Sequence, residues 1–143
     1  MVYVFDASFI VNLIIPDERD PKTKVLYNKI NDDDERHAPQ LLWYEISNLF
    51  NNLIYQKCFT SEEVSLFLTL ISAFRIKTDF ESGPGYSQKL LNLGSNYNLS
   101  AYDAAYLELA ERKNAVLCTL DENLIMAAKQ HGVKIILEDR KRK

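Results

Sequence analysis

The chain has 143 residues, which is about one domain's worth, with 47% hydrophobic residues, 26% charged residues and a formal net charge of −3. This composition excludes a disordered or low-complexity chain, and the charge gives no global sign of a nucleic-acid-binding protein. Two cysteines predict neither a disulfide framework nor a zinc site, no apolar run approaches the roughly 20 residues of a membrane span, and no signal peptide is recognisable. We therefore expect one domain over residues 1–143 of a cytoplasmic protein with no membrane segment.

The first part of the chain predicts one strand and two short helices. Val2–Phe5 is a β-branched and aromatic run typical of a buried strand, and the apolar residues 9–15 indicate a short helix. Residues 21–30 predict a second helix, with Val25 among its inward residues. The acidic residues 31–35 are interpreted as a solvated loop that leads into the next helix without an intervening strand.

The middle of the chain is predicted to be mostly helical. Gln40–Gln56 carries the strongest helix signal, because apolar residues recur along one face. Thr60 and Glu63 predict the capped start of another helix. A half-exposed strand is expected at residues 74–78, and a polar-faced helix over Tyr86–Tyr97.

The last part of the chain alternates helix and strand. A helix is predicted to begin at Ser100, residues 115–119 have the composition of a buried strand, and Asp121 is the expected N-cap of the helix that follows. A last strand is expected at residues 133–137, and the basic residues 140–143 are interpreted as a solvated tail.

Two acids on helices each have two open interpretations. Asp103 lies three residues after Ser100, and this spacing is explained by helix capping as well as by a functional site. Glu45 lies at the border of the apolar stripe of its helix, where a carboxylate either reaches water or lines a site.

Four acids can meet at one edge of a sheet. The alternation of strands and helices argues for a mainly parallel sheet between helices, and ligands bind such sheets at the carboxyl ends of the strands. Asp6 and Asp121 directly follow predicted strands, whereas Asp103 and Glu45 lie at or near helix starts. Four carboxylates in one cleft repel each other and raise each other's pKa, so the arrangement is reasonable around a divalent cation. Oxygen donors favour Mg²⁺ or Mn²⁺ over Zn²⁺.

The chemistry that such a site predicts is hydrolysis of a phosphodiester bond. One or two metal ions would bind the scissile phosphate, activate water and stabilise the leaving oxygen. Ser8 and Thr119 each lie two residues from an acid, where a hydroxyl can orient a carboxylate. Glu122 is a fifth acidic candidate, ranked below Asp121.

Four motifs occur in a familiar order: Val4–Ser8, Trp43–Asn48, Tyr102–Leu107 and Cys118–Leu124. In order and spacing, and over the whole chain, they resemble the PIN-domain proteins, in particular the VapC-type toxins of toxin–antitoxin pairs. The resemblance implies a three-layer α/β/α sandwich, a metal-dependent ribonuclease that acts on RNA, a homodimer and a cognate antitoxin that blocks the site.

The resemblance also assigns roles to individual residues. It makes Asp6, Glu45, Asp103 and Asp121 the catalytic and metal-binding acids, and Thr119 their associated hydroxyl. For the antitoxin, we consider as hydrophobic anchors the aromatic residues near Glu45, which are Trp43, Tyr44, Phe59 and Phe67.

Three other functions compete with a nuclease. A haloacid-dehalogenase-type phosphatase also has an Asp after its first strand but needs a second acid two residues on, where this chain has Ser8. A phospho-accepting receiver domain needs a paired acid and a late Lys that are not clear here. A binding module that keeps the PIN fold without catalysis is the third alternative.

Overall fold

The computed structural model of the protein describes residues 1–136. In this range the strands are β1 (Val2–Phe5), β2 (Glu35–Pro39), β3 (Lys77–Asp79) and β4 (Val116–Cys118). The helices are α1 (Ala7–Ile14), α2 (Pro21–Tyr27), α3 (Leu41–Tyr55), α4 (Ser61–Ser72), α5 (Pro84–Tyr97), α6 (Ala101–Arg112) and α7 (Glu122–His131), with a 3-10 turn at Pro16–Glu18.

The four strands form one sheet in the order β3-β2-β1-β4, and every strand pair is parallel. Helix α6 packs on β1, β2 and β4, α5 lies against α6, and α1 contacts α2, α3 and α4. This arrangement confirms the predicted α/β fold with a parallel sheet and agrees with a three-layer sandwich. Because β1 is internal, the residue that follows it is surrounded by both neighbouring strands and the helices above them.

The predicted last strand is reduced to a single bridge within the described residues. Ile135 pairs in parallel with Leu117 of β4, and the N–H groups of Leu117 and Ile136 donate to Lys134 and Leu117 at 2.8 and 2.9 Å. Position 137 of that predicted strand and the basic residues 140–143 lie outside the described residues.

Strand β2 was not expected, because its sequence Glu-Arg-His-Ala-Pro is polar. Its polar side chains find partners although most of the strand is buried: Arg36 donates to the carbonyls of Asp34 and Asn31, and His37 lies 3.1 Å from Oε2 of Glu35. Pairing on both sides, with β1 and β3, satisfies the backbone. Tertiary pairing therefore outweighs the low strand propensity of this segment.

Two further predictions need correction, one for a strand and one for a helix. The strand expected at residues 74–78 is β3 at Lys77–Asp79 instead, because the left-handed backbone of Arg75 (φ 53°) interrupts an extended run. Helix α2 ends at Tyr27 rather than near residue 30, and Val25 is 55% exposed because Leu26 takes the inward position.

Helix α6 is the most deeply buried helix of the described chain. All of its residues from Ala104 to Leu109 are buried, Glu108 included, and its small alanines allow close packing on the sheet. Helix α5 packs against it, and the chain turns so tightly between the two helices that a Cβ on Gly94 would lie 2.8 Å from the carbonyl oxygen of Leu99. The first turn of α6, which carries Asp103, is thus held in a fixed position above the sheet. Over residues 1–136 no helix combines the length and the apolar character that crossing a bilayer requires.

Candidate active site

Asp6 stands directly after the central strand β1 and is the N-cap of α1. Its Oδ1 accepts hydrogen bonds from the backbone N–H of Phe9 at 3.0 Å and from the hydroxyl of Ser8 at 2.7 Å. Its own N–H donates to the carbonyl of Cys118 at the end of β4, at 3.1 Å. The side chain is only 5% exposed, so a carboxylate is held in one orientation at the carboxyl edge of the sheet.

Ser8 and Thr119 join the ends of β1 and β4 around Asp6. The Thr119 hydroxyl donates to Oδ2 of Asp6 and accepts from the N–H of Asp121 at 3.0 Å. The Ser8 hydroxyl accepts from the N–H of Leu120 at 3.0 Å while it donates to Asp6. The structure therefore places both predicted hydroxyls on the carboxylate of Asp6, and both tie it to the loop that follows β4.

Glu45 and α6 are linked by a residue to which the sequence analysis gave no role. The hydroxyl of Tyr106 donates to Oε1 of Glu45 at 2.6 Å, although the two residues are 61 positions apart in the chain. Tyr106 lies within one of the four motifs and three residues after Asp103, so both project from one side of α6. That spacing is the signal by which it could have been found, whereas its partner on α3 could not be read from the sequence.

Asp103 and Asp121 both lie at helix starts, and each takes part in helix capping. The Ser100 hydroxyl accepts from the N–H of Asp103 at 3.1 Å, which confirms Ser100 as the N-cap of α6. Oδ1 of Asp121 accepts from the N–H of Leu124 at 2.8 Å and caps α7. Both carboxylates are only partly buried, whereas Glu122 is exposed.

The charge of one acid raises the pKa of the next, from Asp121 to Asp103, from Asp103 to Glu45 and from Glu45 to Asp6. The pKa of Asp6 is raised to about 6, chiefly by burial and to a lesser extent by the Glu45 charge, and hydrogen bonds from Thr119, Phe9 and Ser8 oppose the rise. Burial also raises the pKa of Glu45, with a further rise from the Asp103 charge, and the Tyr106 bond acts in the opposite direction. The pKa of Asp103 is raised by burial and then by the Asp121 charge. The site thus brings together four acids whose neighbouring charges are negative.

This arrangement fits a hard divalent cation by its donor chemistry, although it is not a closed cage. The donors are carboxylate and hydroxyl oxygens, and a cation would offset the cost of burying like charges together. Among residues 1–136, no three Asp, Glu, His or Cys side chains stand in an arrangement ready to hold a metal ion. Mg²⁺ does not need such a cage, since it is usually bound by one or two carboxylates together with water and substrate phosphate.

The aromatic residues considered as antitoxin anchors are mostly not surface residues. Trp43 is half-buried and its indole N–H donates to Thr78 Oγ1 at 2.8 Å. Phe67 is buried and its ring packs edge-on against that of Phe59, with 5.1 Å between the ring centroids. Tyr44 alone of the four is well exposed, at 70%. Some of the four candidates were expected to belong to the core, and three of them are packed within the fold, which leaves Tyr44 as the exposed candidate.

Comparison with known proteins shows the family from the sequence and the fold from solved structures. The sequence model of the PIN domain family matches residues 3–130. Ribonuclease VapC3 of Pyrobaculum aerophilum is 28% identical over 124 residues, which cover 87% of this chain and 92% of that protein.

Two solved structures share the fold at low sequence identity. VapBC2 from Rickettsia felis, bound to a DNA fragment from its promoter, gives a TM-score of 0.65 at 11% identity and covers 94% of this chain and 97% of that one. A toxin–antitoxin complex from Klebsiella pneumoniae gives 0.55 at 14% identity and covers 83% and 86%.

Proposed function

The chain belongs to the PIN-domain family, and from this membership we propose that it is a metal-dependent endoribonuclease, the toxin of a type II toxin–antitoxin pair, in one domain over residues 1–143. The relative from Pyrobaculum aerophilum carries the name of a ribonuclease, and a structure with the same fold is that of a toxin–antitoxin complex. Both support the assignment of activity and partner.

The observation that carries the proposal is the environment of Asp6. A carboxylate that only capped α1 would need the Phe9 N–H alone, but this one also accepts bonds from two hydroxyls that come from different segments. It is buried beside other acids, which raises its pKa because the ionised form is destabilised at this edge of the sheet. A carboxyl group with a perturbed pKa, at the end of a central parallel strand, is typical of functional sites.

We assign the metal-binding role to Asp6, Glu45, Asp103 and Asp121. A bound Mg²⁺ or Mn²⁺ supplies Lewis acidity at the scissile phosphate and lowers the pKa of an attacking water. Ser8 and Thr119 fix the orientation of the Asp6 carboxylate, and Tyr106 positions Glu45.

The proposal is tested by incubating the purified protein with single-stranded RNA and Mg²⁺ or Mn²⁺. We expect internal cleavage that leaves 5′-phosphate and 3′-hydroxyl ends and stops in excess EDTA. The Asp6→Asn variant should be inactive. Cleavage that persists in EDTA, or products with 2′,3′-cyclic phosphate, would contradict a metal-dependent hydrolysis, and a wild-type protein that cleaves no RNA would favour the non-catalytic binding module.

An antitoxin and a second copy of the chain are the proposed protein partners. An antitoxin that inhibits the enzyme would present a basic side chain to the acids, since four neighbouring carboxylates attract a guanidinium strongly. Co-expression with the protein encoded next to it should give a stable complex without nuclease activity. Light scattering of the purified chain should give the mass of a homodimer.

A further inference from the structure

A cleft of about 340 Å³ opens at the carboxyl ends of β2 and β3. It lies between the beginnings of α3, α5 and α6 and is lined by the tyrosines Tyr44, Tyr86 and Tyr102. Tyr44 and Tyr102 are 70% and 66% exposed, so their ring faces are open to solvent. Its volume is at the low end of the range for small-ligand sites.

The two exposed tyrosines of the cleft are chain neighbours of two of the acids. Tyr44 immediately precedes Glu45 in α3, and Tyr102 immediately precedes Asp103 in the first turn of α6. The bond between Tyr106 and Glu45 holds these two helix starts together. A molecule whose charged part lies at the acids can therefore place a neighbouring group in the cleft.

The charges around the cleft exclude an anionic occupant and favour a neutral one. Both carboxylate oxygens of Asp79 accept bonds from Arg112, at 3.0 and 2.7 Å, but Arg112 also donates to Glu108, so its single positive charge is shared between two acids. Glu81 is a second acid in the lining, and aromatic and aliphatic groups make up most of the remainder. A phosphate would be repelled there, whereas a flat, uncharged ring could stack on the tyrosines.

We propose that this cleft binds a nucleobase of single-stranded RNA, next to the scissile phosphate, by stacking on Tyr44 and Tyr102. The proposal rests on the proposed ribonuclease function and adds to it a base-binding subsite. Stacking on aromatic side chains is how proteins hold unpaired bases, and it requires exposed ring faces rather than positive charge. Gln40 also lines the cleft, and its amide can both donate to and accept from a base edge.

The test measures stacking directly and does not depend on cleavage. A short single-stranded RNA that contains 2-aminopurine is titrated with protein in EDTA, because the fluorescence of this base is quenched when it stacks. The variants are Tyr44→Ala and Tyr102→Ala, each with its Phe counterpart, which keeps the ring. Tyr55→Ala is the matched control, since Tyr55 lies at the other end of α3 and is 88% exposed.

We expect the wild-type protein to quench the probe and each Ala variant to bind it about tenfold more weakly, as expected for losing one stacked base. The Phe variants and Tyr55→Ala should bind like the wild type. With Mn²⁺ present, the Ala variants should raise KM for RNA more than they lower kcat.

Three results would overturn the base-binding proposal while leaving the nuclease intact. The first is that both Ala variants quench the probe and bind it as the wild type does. The second is that either substitution dissociates a dimer while RNA affinity is unchanged. The third is that antitoxin binding is lost while RNA affinity is unchanged. The second would make the cleft a contact between copies, and the third an antitoxin contact. Conversely, a protein that quenches the probe through these tyrosines but never cleaves RNA would refute the nuclease alone.

Discussion

The hydroxyl of Tyr106 lies 2.6 Å from Oε1 of Glu45 and joins α6 to α3 at the acidic edge of the sheet. This bond opposes the rise that burial causes in the pKa of Glu45, and so favours the ionised carboxylate that a cation requires. Tyr106 therefore acts on the proposed site through Glu45, without being a ligand itself.

Tyr106→Phe should weaken metal binding most at low pH. Without the hydroxyl, the pKa of Glu45 rises further, so a larger fraction is protonated at acidic pH and the ion competes with protons. Calorimetry should show weaker Mn²⁺ binding at pH 6 and little change at pH 8, with a loss of unfolding free energy of about 1 kcal/mol. Tyr55→Phe is the control, because Tyr55 is an exposed tyrosine on α3, the helix that carries Glu45. Equal weakening at both pH values would mean that Tyr106 affects only packing.

Asp6→Asn should stabilise the metal-free protein at neutral pH. The pKa of Asp6 is raised by burial to about 6, against about 3.9 in an unfolded chain. Between these values the folded state binds more protons, so stability falls as pH rises from about 4 to about 6, and the loss is complete at pH 7. Removing the charge should raise the unfolding free energy at pH 7 by on the order of 1 kcal/mol.

Chemical denaturation in EDTA at pH 4 and pH 7 measures this effect. The gain should be present at pH 7 and absent at pH 4, and Mn²⁺ should raise the melting temperature of the wild type but not of the variant. Asp33→Asn, at an exposed acid, should change neither quantity. If the Asn variant melts lower at pH 7 and Mn²⁺ stabilises both proteins equally, Asp6 is only a capping residue.

Thr119→Val should uncouple the ends of β1 and β4. The methyl group that replaces the hydroxyl cannot donate to Asp6 or accept from the N–H of Asp121. Two buried or partly buried groups lose a partner, which should cost about 1–3 kcal/mol of unfolding free energy and abolish most of the cleavage. Thr119→Ser keeps the hydroxyl and should retain most of both. A Val variant as active and as stable as the Ser variant would remove Thr119 from the site.

Gly94→Ala and Gly85→Ala form a matched pair on α5 with opposite expected signs. A Cβ at position 94 would lie 2.8 Å from the Leu99 carbonyl oxygen, a backbone atom that cannot move aside without disturbing the start of α6. Nothing lies within 4 Å of a Cβ at position 85. We expect Gly94→Ala to lower the melting temperature and Gly85→Ala to raise stability by up to about 1 kcal/mol. Equal effects in thermal melts would show that α5 shifts freely.

The positions of the four acids could be predicted because each follows from a local pattern. Asp6 and Asp121 end apolar runs, Asp103 follows a capping serine, and Glu45 borders an amphipathic stripe. In contrast, no role could be assigned to Tyr106 from the sequence, because its partner comes from a distant helix. Strand β2 was missed for a related reason: its backbone pairs with two strands, and the buried Arg36 donates to the carbonyls of Asp34 and Asn31. Long-range pairing of this kind leaves no trace in local sequence.

The bond from Thr119 to Asp6 spans 113 residues and has a consequence for the order in which the protein becomes active. Strand β1 emerges from the ribosome long before its neighbour β4 and the hydroxyl that orients Asp6. A chain still being translated therefore lacks one wall of the site until β4 has been made, and contacts so distant in sequence also form slowly. A nascent chain shorter than about 119 residues cannot have the oriented Asp6 carboxylate, so the acids reach their final geometry only after Thr119 has left the ribosome.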